Sequence, residues 1–228
     1  MDFSLIINNF TIVIKGLDET LLLVSLSLSI GFIISIFFAV GRISSISILS
    51  KSIYYYIFVI RGTPLLVQIY LIYFGLGSIK AVRESVFWIL LKEPFWCGVI
   101  ALVLNTVAYT TEIFRGGIQS VTKGQIESCK SLGMNKITMY YKIILPVAFR
   151  QALPAYGNEM ILMVKATSLV SLTTYMEMTG LARNIMSKTF APIEAFIAAG
   201  SIYLFLNFLI VQLIKFLEWK YNPHLRLR

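Results

Sequence analysis

Five stretches of this chain, residues 20–40, 53–75, 95–114, 153–172 and 195–214, are each about twenty residues long and predominantly apolar. At about 1.5 Å per residue such a run, coiled as a helix, covers the roughly 30 Å of a bilayer's hydrocarbon layer. A 228-residue soluble core has no room for that much apolar surface: 57% of the residues are hydrophobic and only 14% charged, against roughly 25% charged in an ordinary soluble domain. Backbone polar groups within lipid must be satisfied inside the segment, so each run reads as a helix. The expectation is an all-α membrane protein with five transmembrane helices. No low-complexity tract, linker or internal period divides residues 1–228, which read as one domain.

Charge decides orientation. Segments 41–52, 115–152 and 215–228 hold twelve basic residues against two acids, Glu127 and Glu218, whereas 1–19, 76–94 and 173–194 hold six against seven. The basic loops belong in the cytoplasm, so the N-terminus is expected outside and the C-terminus inside. The net charge of +9 is confined to these loops and forms no nucleic-acid stripe. Cys97 and Cys129 then fall on opposite sides of the membrane, too far apart to bridge. The single histidine, His224, sits in the tail, so neither a metal site nor any other cofactor is expected.

The first fourteen residues set Phe3, Ile6, Ile7, Phe10 and Ile14 on one helical face, with Asp2, Asn8 and Asn9 off it. That pattern suits a helix over residues 1–16 lying in the outer interface until Gly16 breaks it. A signal peptide fits less well, since neither a basic leading region nor a small-residue cleavage site precedes the first span. Within that span Ser27, Gly31, Ser35 and Ala39 recur every fourth residue. This is a stripe for close helix approach, whether to the same chain or to another subunit.

The loop 115–152 is long for a helix connection. Gln125–Leu132 reads as a short amphipathic helix, Gly133 supplies a break where positive φ is permitted, and a second helix runs from Asn135 to Ile144, ended by Leu145-Pro146. The elbow presents Ile126, Leu132 and Met134 as an apolar face for a groove on a partner or for the membrane surface. Glu127-Ser128-Cys129, three residues, Gly133, nine residues, then Ile143, Ile144, Leu145 and Pro146 resembles the coupling loop of ATP-binding cassette (ABC) importer permeases, Glu-Ala-Ala-x3-Gly-x9-Ile-x-Leu-Pro. The departure, Ser128-Cys129 for two alanines, keeps both positions small. Residues 58–65, 105–114 and 158–169 look like the polar amino acid branch of that family. They are most similar to the M-type membrane subunits of histidine/lysine/arginine/ornithine importers.

The resemblance implies a type-I ABC importer permease fold in the bacterial inner (cytoplasmic) membrane, crossing it several times. It implies a homologous permease partner in a heterodimer, a cytoplasmic ATPase dimer, and a periplasmic or extracellular amino acid-binding protein. ATP belongs to the partner, because no GxxxxGK[ST] loop is present. Driven closure of the ATPase pair would move the elbows and rock the helices between inward- and outward-open states. Glu127 is expected to make the polar contact and Gly133 the bend.

Four ionisable residues fall inside spans: Arg61, Glu112, Glu159 and Lys165. In hydrocarbon each costs about 2.5–3.5 kcal/mol on insertion scales, so each should face a cavity or a partner. At 1.5 Å per residue, Glu112 lies about 3 Å from the inner end of its span, Glu159 about 9 Å, Arg61 about 12 Å and Lys165 about 18 Å. Glu112 therefore reads as an edge pair with Arg115 at i+3, and Glu159 and Lys165, six residues apart, do not share a face. Glu159 suits a cationic substrate, or else a pair with Arg61. In the resembling family an amide often stands here for other amino acids, so the carboxylate points to basic substrates over glutamine. Arg61-Gly62-Thr63-Pro64 reads as a helix interruption; Asn105, Thr106 and Tyr109 read as a polar patch or as interhelical glue. Lys165 and Ser168 complete the expected path. A proton-coupled secondary carrier using Glu159 and Glu112 would need no coupling loop, and a membrane enzyme finds no nucleophile–base–metal set in the spans.

Overall fold

A computed structural model describes residues 3–221. Asp2 of the N-terminal helix, and His224, Arg226 and Arg228 of the basic tail, lie outside the described residues. Among those described no strand occurs. α1 (Phe3–Val13) passes through a 3₁₀ turn into α2 (Leu17–Ile43); α3 (Ser47–Gly62) is followed by α4 (Leu65–Tyr70), a π turn and α5 (Leu76–Ser78). The short α6 (Lys80–Arg83) and α7 (Trp88–Leu91) precede α8 (Pro94–Gln119). The elbow helices α9 (Lys123–Ser131) and α10 (Lys136–Met139) lead to α11 (Leu145–Ala166), then α12 (Met178–Thr189) and α13 (Pro192–Tyr221).

Among the described residues, three helices are long and apolar enough to cross a membrane: Ser4–Ile43, Pro94–Gln119 and Pro192–Tyr221. A fourth span is reached if α3 and the stretch Leu65–Ser78, bent by 103° at their junction, count as one. The span 53–75 is thus broken where the interruption at Arg61-Gly62-Thr63-Pro64 is expected, because Pro64 cannot donate its backbone N–H and Thr63 before it is extended, at φ −117° and ψ 143°. α11 has 22 residues, but it falls outside the apolar set: Arg150, Glu159 and Lys165 interrupt it.

Gly16 does not break the first helix. It sits in the 3₁₀ turn Ile14–Gly16 of one 40-residue helix. The apolar stripe of α1 faces outward, with Ile7, Phe10 and Ile14 exposed, as suits a helix beside lipid, while Asn9 and Val13 are buried against the rest of the chain. In lipid the apolar stripe has no reason to turn inward. The small-residue stripe of α2, by contrast, is wholly buried on α8 of the same chain. A Cβ at Gly31 would come within 2.1 Å of Thr106 Cγ2, and the Ser35 hydroxyl donates to Gly31 O at 2.6 Å.

Two of the apolar centres among the described residues join most of the long helices. Leu23 and Leu28 of α2, Ile69 of α4, Leu102 of α8 and Met163 of α11 form one; Val13, Met178, Ala182, Ala195 and Ala198 join α1, α12 and α13 in the other. α8 therefore runs between α2, α3 and α11, which sets its polar residues in the middle of the molecule.

Candidate functional site

The break in the α3–α4 pair creates the site. Thr63 returns its hydroxyl to Val59 O at 2.9 Å, and Gln68 on α4 reaches back to close the frayed helix end. Its amide nitrogen donates to Ile60 O at 2.8 Å, Thr63 Oγ1 at 2.8 Å and Thr63 O at 3.1 Å. A helix C-terminus inside a membrane leaves carbonyls that must find donors, and Gln68 supplies them. This residue was missed in the sequence, because its partners lie five and eight positions away, across a bend.

Facing the break is a cavity of about 460 Å³, lined by Arg61, Thr63, Asn105, Tyr109 and Glu159 among others. Glu159 on α11 is 5% exposed, and Thr106 donates to its Oε1 at 3.1 Å. Thr106 is fully buried behind the cavity and is itself 3.4 Å from Thr110. Arg61 stacks its guanidinium over the Tyr109 ring at 4.9 Å; among the described residues it makes no ion pair with Glu159. Thus five of the expected path residues line one cavity and Thr106 braces it. Lys165 and Ser168 are not brought in. Lys165 is exposed on another face of α11, and the Ser168 hydroxyl is spent on Lys165 O at 2.6 Å. The expected pair of Glu112 and Arg115 is present, with Arg115 Nη2 at 2.6 Å from Glu112 Oε2 and Arg42 at 3.9 Å on the other side.

The elbow helices lie between the end of α8 at Gln119 and the start of α11 at Leu145, within the loop 115–152. Thr122 and Gln125 form a capping box at the start of α9, and its end closes on Gly133 at φ +73°. Gly133 N–H donates to Lys130 O and Met134 N–H to Cys129 O, the paired bonds of a Schellman end, for which glycine is the default residue. Leu145-Pro146 does not end the second helix. After a π turn over Tyr140–Ile144 the proline sits in the first turn of α11, where its missing N–H costs little. The outward apolar face also differs. Ile126 and Met134 pack inward on Cys129, Met139 and Ile144 with Ile143 beside them, while Leu132 and Ile137 are about four-fifths exposed, at 80% and 82%. Glu127 and Ser128 lie on the exposed side of α9 and Leu145 is half exposed.

A second buried acid carries no signal in the local sequence. Glu177 is fully buried ahead of α12, where it accepts from Tyr203 Oη at 2.6 Å, Gly180 N–H at 2.9 Å and Thr20 Oγ1 at 3.4 Å. Its partners on α2 and α13 are too distant in sequence to leave a local signal.

Comparison with known proteins adds four findings. Residues 31–222 match the family of binding-protein-dependent transport system inner membrane components. The nopaline transport system permease protein NocM of Agrobacterium fabrum is 48% identical over all of this chain and 95% of its own length. The histidine/lysine/arginine/ornithine transport system permease protein HisM of Escherichia coli is 39% identical over 92% of this chain and 89% of its own. A crystal structure of an amino acid ABC transporter with histidines shares the fold at TM-score 0.85 and 36% identity, covering 96% of this chain and 99% of that one.

Proposed function

This chain belongs to the family of binding-protein-dependent transport system inner membrane components; it is a permease subunit of an ABC amino acid importer, and from that premise we propose that it carries basic amino acids and that Glu159 recognises their positive charge. The observation that carries the reading is a carboxylate 5% exposed, held by one hydroxyl, at the wall of a cavity of about 460 Å³. Leaving an acid there is costly unless a cation meets it; Arg61 lines the same cavity, stacked on Tyr109, and makes no ion pair with it, so the direct contact is left to a ligand. The side-chain charge of lysine, arginine and ornithine fits, as does that of protonated histidine, and a guanidinium or ammonium would bind through charge-assisted hydrogen bonds.

The five crossings we infer are α2, the bent pair α3–α5, α8, α11 and α13, with the N-terminus outside and the C-terminus in the cytoplasm, all within one domain. Glu127 and Gly133 of the elbow, with Ser128 and Cys129 between them, dock on the ATPase dimer. The hydrophobic anchors Ile143, Leu145 and Pro146 tie that elbow to α11, which bears Glu159. A push on the elbow is thereby delivered to the substrate-bearing helix, the coupling that alternating access requires. A homologous permease completes the path, and an external binding protein delivers the amino acid.

The test is ATP-dependent uptake in liposomes holding this chain with its permease partner, ATPase and binding protein. Radiolabelled arginine, lysine, histidine, glutamine and nopaline are the probes, with wild type and Glu159→Gln. Basic amino acids should enter the wild type, and Glu159→Gln should abolish their uptake while the assembly stays intact. Preference for glutamine, or undiminished basic uptake in Glu159→Gln, overturns the reading.

A further inference from the structure

A second cavity, of about 420 Å³, adjoins the first toward the elbow end of α8. The two share Arg61, Gly62 and Tyr109 as a common wall. Its charges are lopsided, with the guanidiniums of Arg42, Arg61 and Arg115 against the single carboxylate of Glu112. Glu112 is already committed: Arg115 grips both its oxygens, Nε to Oε1 at 3.1 Å and to Oε2 at 2.9 Å, with Nη2 at 2.6 Å from Oε2. Arg42 reaches it only through Nε at 3.9 Å, beyond hydrogen-bond distance, so that Nε is buried without a hydrogen-bond partner while Nη1 donates to Ser50 Oγ at 3.0 Å.

Arg42 and Arg61 are held alike. The Arg42 guanidinium lies 5.0 Å over the Tyr54 ring and that of Arg61 4.9 Å over Tyr109. Stacking occupies the flat face of a guanidinium and leaves the donors in its plane to hydrogen-bond; Arg42 gives one of them, Nη1, to Ser50. Two stacked guanidiniums flanking a void, one with a buried donor unused, form a receptor for a planar anion, and a carboxylate matches that fork.

We propose that this second cavity is a substrate subsite that takes the α-carboxylate of the amino acid as it leaves the first cavity, with Arg42 and Arg61 as its donors. The inference rests on the reading of the first cavity as the amino acid path. Arg61, in the wall common to both, hands the carboxylate across while Glu159 releases the cationic end.

Equilibrium binding to the assembled transporter in nanodiscs, without the external binding protein, tests this with L-arginine and with agmatine, which has the same guanidinium and no carboxylate. Wild type should bind arginine about tenfold more tightly than agmatine, and Arg42→Gln should bring the two to parity. Arg42→Lys keeps the charge and loses the fork, and it should hold the preference below about threefold, a second reading should Arg42→Gln fail to assemble. Equal binding of the two probes by wild type, or an unchanged preference in either Arg42 variant, overturns the subsite. Glu159→Gln should weaken both probes together and leave their ratio alone. If it changes neither while the Arg42 variants still erase the preference, the role given to Glu159 fails and the subsite stands.

Discussion

Glu159 and Glu177 are both buried carboxylates, 5% and 0% exposed, yet their surroundings have opposite designs. Glu177 is saturated: a backbone N–H of α12, a tyrosine from α13 and a threonine from α2 converge on it, so that three helices share one polar centre. Glu159 has one hydroxyl partner and a cavity beside it. A buried group with every bond made is a fastening, because any change leaves donors stranded. One with bonds still to make awaits a ligand. The difference between the two acids is the number of fixed donors.

Removing each acid should separate the roles. Glu177→Ala strands the Gly180 N–H, leaves the Tyr203 hydroxyl to Thr179 and opens a void, and it should cost about 3 kcal/mol of stability. Thermal unfolding of the assembled transporter would register this, with little change in uptake per folded molecule. Glu159→Gln should do the reverse, leaving the unfolding temperature nearly unchanged while uptake of basic amino acids falls at least tenfold, the scale of a lost charged hydrogen bond at about 1.5–3 kcal/mol. A large stability loss in Glu159→Gln would erase the distinction.

Thr106→Val retains the shape beside Gly31 and removes the one donor to Glu159. It should raise the apparent KM about fivefold, for about 1 kcal/mol, with kcat little altered. The smallest effect concerns pH. Burial pushes the Glu177 carboxyl above its ordinary 4.5, while its hydrogen bonds pull it back. A group whose pKa is higher folded than unfolded lends stability that is whole below the unfolded value and is lost as pH rises through the folded one. The unfolding temperature of wild type should therefore drift down as pH rises from 4.5, and Glu177→Gln should flatten that drift.

Features that depend on neighbours in sequence were legible. The break at Gly62-Thr63-Pro64 follows from a missing N–H, the left-handed turn at Gly133 from a helix end that glycine closes, and the Glu112–Arg115 pair from a spacing of three. The apolar stripe of Phe10 and Ile14 stays outside, as suits a helix beside lipid, whereas packing alone chose Val13 and Asn9 as the residues through which α1 docks. Leu145-Pro146 was read as an end because proline breaks helices, although in a first turn it starts one.

By itself, then, the sequence determined that the chain is helical and lies in a membrane, where it breaks, and which few polar residues its spans must accommodate, since hydropathy, proline and glycine act within a turn or two. The tertiary structure decided what those polar residues do. It chose α8 as the partner for the α2 stripe, put Glu159 at a cavity and Lys165 on the outside of the same helix, and assembled the Gln68 and Glu177 centres from residues that meet only when helices pack. Burial and hydrogen bonding belong to neighbours in space, and for Glu177 and Thr20 those neighbours are 157 residues apart.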